Sequence, residues 1–251
     1  MIYFLYILFG LAPSVIWLLF YLRKDSHPES NRMILKIFSY GMLVALPAAL
    51  VEMGIFEFFN KLIPFISKWL GANFSSNNNN DVITILNVFI GVALIEEIIK
   101  YLVVKEKVLN HPEFDEPLDV MLYMIIAALG FAAVENLLIL FPLVPHFLIG
   151  QALAIISFRF IGATFLHTLC SGLIGYFLAL SFLKSRRRTE LILTGLGTAV
   201  ILHGFYNFSI MLMKKEELRI IIPVILLSGL AIFISFGLKK LKKMGSYCKI
   251  K

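Results

Sequence analysis

The chain has 251 residues, 59% of them hydrophobic and 16% charged, with a mean hydropathy of +0.87. These values exclude a water-soluble enzyme, a disordered chain and a disulfide scaffold, and apolar runs of about twenty residues point to spanning helices, not to the alternating strands of a barrel. The formal charge of +7 does not mark a nucleic-acid binder, because six of the 23 Lys and Arg residues crowd into the last thirteen positions beside an apolar run, as at a cytoplasmic membrane face.

Apolar runs predict seven spans: Ile2–Leu22, Ile34–Phe56, Val82–Val104, Leu118–Phe141, Phe160–Leu183, Leu191–Met213 and Ile220–Leu238. The first lacks a basic leader and is followed by six more, which favours a retained helix over a cleaved signal peptide. Between the second and third spans, Asn60–Leu70 is expected to lie as a helix at the outer interface, and Gly71–Asp81, with its Asn77–Asn80 run, to be a polar loop. The sequon at Asn73 reads as a chance match in that stretch. Phe147–Ser157 extends the fifth span or forms a short re-entrant element. Cys170 lies in an apolar run and Cys248 in the basic tail, so no structural disulfide is expected.

With Arg159 counted at the entrance of the fifth span, alternate connections carry 15 and 5 basic residues. The positive-inside rule then predicts an all-α, multi-pass helix bundle with its N-terminus outside and its C-terminus cytoplasmic, in the cell membrane. No repeat or soluble domain interrupts residues 1–251, which read as one integral membrane domain.

Ionisable side chains inside spans each cost roughly 2.5–3.5 kcal/mol on insertion scales. The third span carries Glu96, Glu97 and Lys100, the fourth Glu135 beside Asn136, the fifth Arg159 and His167, and the sixth His203 and Asn207. Facing lipid, these seven ionisable groups would cost on the order of 20 kcal/mol, so they must share an interior. A lone Asn or His is ordinarily a helix-to-helix hydrogen bond, and Glu52 and Glu57 read as bland, Glu57 near the outer boundary and Glu52 paired with a neighbour. Adjacent carboxylates are different, because their repulsion is a cost that polar glue avoids. Glu96 and Lys100, four apart, share a face, and Glu97 points about 100° away toward another helix. His203 and Asn207, also four apart, make a stripe of donors. A carboxylate pair with a cation, facing neutral donors, is what amide hydrolysis requires: a base for water and support for an oxyanion. Depth divides the group, since Glu135, His167, Asn207 and His203 fall about 9–15 Å below the outer boundary and Glu96 about 21 Å. Either the third helix emerges from the bilayer before Leu86 or it is tilted.

Glu96-Glu97-Ile98-Ile99-Lys100 resembles the EExxK motif of the PrsW-type intramembrane proteases, and Phe131 to Asn136 resembles their FxxxEN motif. His167, followed by Ser171, Gly172 and Gly175, matches their isolated histidine motif, and His203 to Asn207 their HxxxN-type motif. The resemblance covers a protease core of about residues 82–213. The family is distantly similar to the CAAX prenyl endopeptidase and bacteriocin-immunity group, which has His where this chain has Glu135. It implies Glu96 as leading general base with Glu135 as partner, and Glu97 orienting helices or sharing a proton with Glu96. It further implies a water-binding or supporting role for His167 and oxyanion donation by His203 and Asn207. Lys100 and Asn136 complete the motif residues. The implied substrate is a single-pass membrane protein, such as an anti-sigma factor cut on its outer side, and no nucleic acid partner is expected beside the bilayer.

No cofactor is expected. The alternative is a zinc-dependent protease with Glu135, His167 and His203 as ligands, though HExxH spacing is missing and Lys100 would repel the ion. A polytopic proton-coupled transporter and a non-catalytic binding or immunity protein are the readings from other classes.

Overall fold

The structure, a computed structural model, describes residues 2–24, 29–69, 76–111, 114–146 and 148–245. Among these there is no strand. The helices are α1 (Ile2–Leu22), α2 (Asn31–Trp69), α3 (Ser76–Leu86), α4 (Ile95–Lys107), α5 (Pro117–Leu140), α6 (Ile149–Ile161), α7 (Ala163–Leu183), α8 (Arg188–Leu212) and α9 (Glu216–Gly245). A π-helical stretch, Asn87–Leu94, joins α3 to α4. Among the described residues, seven helical stretches are long and apolar enough to cross a membrane, and each contains most of one expected span.

The polarity is inverted relative to a water-soluble protein. Leu50, Phe158, Ile225 and Phe236 are exposed, whereas Glu96, Glu97, Lys100, His167 and His203 are buried. Hydrocarbon favours both choices, because it solvates the aliphatic surface and leaves charge only an interior in which to find partners.

The helix at the centre is α5, apolar on every face and buried along nearly its whole length. Its start is fixed by Pro117 in the first turn and by a capping box in which Asp119 Oδ2 accepts from the Glu116 N–H at 2.7 Å. Small residues set its distance from α2. A methyl group at Gly41 would lie 2.1 Å from the Ala127 carbonyl oxygen, and one at Gly130 would lie 2.0 Å from that of Phe38. The two backbones therefore touch, the usual use of glycine where membrane helices cross.

Three local expectations are corrected. Asn60 to Trp69 is not a separate interfacial helix but the continuous end of α2, Pro64 included. The expected polar loop is helical from Ser76 onward, because the Asn run continues directly into the apolar turns of α3; Asn73 and Cys248 lie outside the described residues. The fifth span is broken at Gly162, so most of Phe147–Ser157 belongs to the separate helix α6. The break falls at a close approach. A side chain at Gly162 would collide with the Tyr206 hydroxyl of α8 and lie 2.7 Å from the Phe158 carbonyl oxygen, so glycine is what fits there. The bend lays α6 against α1, with the Trp17 indole donating to the Phe160 carbonyl at 2.9 Å, and brings Arg159 to the end of α5.

The third span runs as helix for 28 residues, Asn80–Lys107. At about 1.5 Å per residue that is about 40 Å, longer than a hydrocarbon core of about 30 Å. Emergence before Leu86 and tilt both absorb that excess, and Glu96 meets His167 of α7 and His203 of α8.

Candidate active site

The first turn of α4 carries both carboxylates of the pair, directly after the π-helical stretch. A π turn holds an extra residue and shifts the angular phase of all that follows, a device common beside functional sites. Lys100, one turn on, reaches back to both: its Nζ lies 2.7 Å from Glu97 Oε1 and 3.3 Å from Glu96 Oε2, and 4.8 Å from the centre of the Phe131 ring. The expected Glu96–Lys100 pairing is present, but the shorter contact is with Glu97, because i+3 and i+4 positions flank the lysine on the same face.

Glu97 is saturated. It receives the ammonium and His203 Nδ1 at 2.8 Å on one oxygen and the Ser171 hydroxyl at 3.4 Å on the other, and it is fully buried. His167, from α7, bridges two charges: Nδ1 lies 2.9 Å from Lys100 Nζ and Nε2 lies 2.7 Å from Glu135 Oε2. An ammonium has no lone pair, so Nδ1 accepts from it, and the partners then assign the ring proton to Nε2, which donates to Glu135. Arg159 supports Glu135 from the other side at 3.0 Å.

One cleft opens onto this cluster. Its volume is about 310 Å³, and its polar lining consists of Glu52, Glu96, Glu135 and Asn207 among apolar residues such as Ala49 and Phe131. Glu96 and Glu135 of the expected carboxylates therefore face the space, and Glu97 lies behind them. The expected donor stripe is divided: Asn207 lines the cleft, whereas His203 commits Nδ1 to Glu97 and holds Nε2 4.0 Å from Glu96 Oε2. Asn136 is turned away. Its amide donates to the Gly10 carbonyl and the Thr164 hydroxyl, each at 3.2 Å, and its oxygen accepts from Arg159 Nε at 2.5 Å, so it ties α1, α6 and α7 to α5. Glu57 makes an exposed pair with Lys61 at 2.5 Å, away from the cluster.

Two residues to which the sequence assigns no role in the chemistry stand at the site. Arg159, on α6 just before the bend at Gly162, holds Glu135. Glu52, expected to pair with a neighbour, makes no ion pair or hydrogen bond among the described residues and lines the cleft instead. Its signal was the spacing of Ala45, Ala49, Glu52 and Phe56, which places small residues and one acid on a single face of α2.

A polytopic helical membrane protein whose buried cluster of carboxylates, imidazoles and an ammonium meets a cleft through Glu96 and Glu135 is of the class that performs polar chemistry inside the bilayer. The comparisons narrow the class: residues 29–235 match the model of the PrsW family intramembrane metalloproteases, and the chain belongs to that family. It is similar to "Protease PrsW" of Geobacillus kaustophilus, 29% identical over 83% of this chain and 80% of the relative. The proteins of the same name from Bacillus subtilis (25% identical, 94% of each chain) and Clostridioides difficile (24% identical, 96% of this chain and 92% of the relative) are further relatives. No solved structure matches the chain.

The family's description implies a metal. Among the described residues, Glu96, Glu97, His167 and His203 offer ligand atoms within 4.8 Å of one another, a donor set of the kind zinc takes. The Lys100 ammonium already sits among them, within 3.3 Å of three of the four. A divalent ion about 2 Å from those atoms would have to share the ammonium's place. As arranged, the residues do not fit it. Glu135, the carboxylate of the alternative zinc set, is engaged by Arg159 and His167.

Proposed function

We propose that this protein is an intramembrane endopeptidase that hydrolyses a peptide bond of a single-pass membrane protein, of the anti-sigma-factor kind, with a water activated by Glu96 and without a metal. The observation that carries this reading is the unequal treatment of two adjacent carboxylates: Glu97 is fully engaged and closed off, whereas Glu96 borders the cleft beside Glu135. Glu96 takes a proton from water and the resulting oxygen attacks the carbonyl carbon. Lys100 and His167 hold Glu96 and Glu135 in place, and the Asn207 amide donates to the oxygen that gains charge. The C–N bond then breaks, and the departing nitrogen takes up a proton. A proton-coupled transporter would need internally paired, interrupted helices; the family relationship favours the peptidase. The test is cleavage of candidate single-pass substrates by the purified protein in liposomes, and failure across a panel that relatives cleave would sink the reading.

The division between Asn207 and His203 gives separate expectations. Asn207→Ala should fold and bind substrate normally yet turn it over about a hundredfold to a thousandfold more slowly, the usual cost of one oxyanion donor. His203→Ala should also lower the melting temperature, because it removes a buried partner of Glu97. Equal activity of Asn207→Ala and wild type, measured on the same folded protein, would remove the oxyanion role.

Orientation follows from charge. Cysteine labelling should place positions near Asn77 outside and Arg186–Arg188 in the cytoplasm, so that the cleft serves the outer half of the membrane. Labelling of Asn77→Cys only from the cytoplasmic side would reverse this.

A further inference from the structure

We infer that Glu52 delivers the proton to the departing amine nitrogen, a role that rests on the peptidase reading above. Three carboxyl groups line the cleft, and two are held by fixed cations: Glu96 has Lys100 at 3.3 Å and Glu135 has Arg159 at 3.0 Å. A carboxyl is best placed to start the cycle as the acid where no fixed cation holds it as the anion. Glu52 alone of the three meets that condition among the described residues. It also stands on a different wall, since α2 carries it whereas Glu96 is on α4 and Glu135 on α5. A base and an acid on separate walls suit a bond whose attacked carbon and departing nitrogen must be served from different sides.

The helix that carries Glu52 is closely packed on either side of it. The touching backbones at Gly41 and Gly130 fix α2 against α5, and on the π-helical stretch a methyl group at Gly91 would lie 2.9 Å from the Phe56 ring, one turn beyond Glu52. The step balances without a further reactant. Water gives one proton to Glu96 and its hydroxide oxygen to the carbonyl carbon; as the C–N bond breaks, the Glu52 O–H proton passes to nitrogen and leaves a carboxylate. The proton held on Glu96 returns through cleft water to Glu52, and both groups are reset.

The test compares two synthetic transmembrane peptides that carry a fluorophore and quencher across the mapped scissile bond, one with the native amide and one with a thioester there. A thiol of pKa about 8.5 leaves as the thiolate without help, whereas an amide nitrogen cannot leave unprotonated. Glu52→Gln keeps the shape of the side chain and loses the proton. It should cleave the amide at least about a hundredfold more slowly, the usual worth of a general acid, and the thioester within about threefold of wild type. Glu96→Gln should lose both. Equal slowing of both substrates by Glu52→Gln, or no slowing of either, overturns the assignment. If wild type cleaves neither peptide while other family proteases do, the peptidase reading itself falls, and Glu52 with it.

Discussion

Glu96→Gln is expected to remain folded, bind substrate and lose about two to four orders of magnitude in turnover, the range that general-base catalysis contributes. The exchange is nearly isosteric and leaves Lys100 with its shorter contact, the one to Glu97 at 2.7 Å, so the helix turn keeps its ammonium in place. Glu97→Gln should differ. It removes the charge that Lys100, His203 and Ser171 all address, and it should lower stability and activity together. Single-turnover cleavage alongside thermal unfolding in detergent separates the two outcomes. The same assay decides the metal question: chelator should leave wild type active, and activity lost to chelator and restored by zinc would transfer the mechanism to a metal-assisted one.

Lys100→Met should have the largest effect on folding. The methionine keeps most of the volume and the contact with Phe131, but two carboxylates that are 3% and 0% exposed then share their cluster without an ammonium. Breaking a buried ion pair from one side costs about 3–5 kcal/mol, and here two anions lose one cation. Purified yield and unfolding temperature should therefore fall well below those of Glu96→Gln. The double variant Lys100→Met with Glu97→Gln should recover part of the loss, since it removes one stranded charge. A Lys100→Met protein as stable as wild type would mean that the ammonium is not what holds the pair together.

Number and placement of spans, the convergence of ionisable residues and the four motifs were legible because they depend on local quantities: the length of an apolar run, the cost of charge in hydrocarbon and spacing along one helix. Residue spacing also showed that Glu96 and Glu97 point about 100° apart. It could not say which of them borders open space. That depends on absolute helical phase, which the π-helical stretch shifts and packing against α2, α7 and α8 then locks. The roles of Asn136, Arg159 and Glu52 were decided in the same way. Asn136 follows Glu135 in sequence but turns to Gly10 and Thr164; Arg159 reaches Glu135 from α6, across the bend at Gly162; and Glu52 lines the cleft from α2, whose backbone touches α5 at Gly41 and Gly130. The sequence by itself thus determined that a polar interior exists and which residues populate it. Only the tertiary structure decided which of them face the cleft, because contacts between segments distant in the chain set helix rotation and bends, and no local periodicity encodes them.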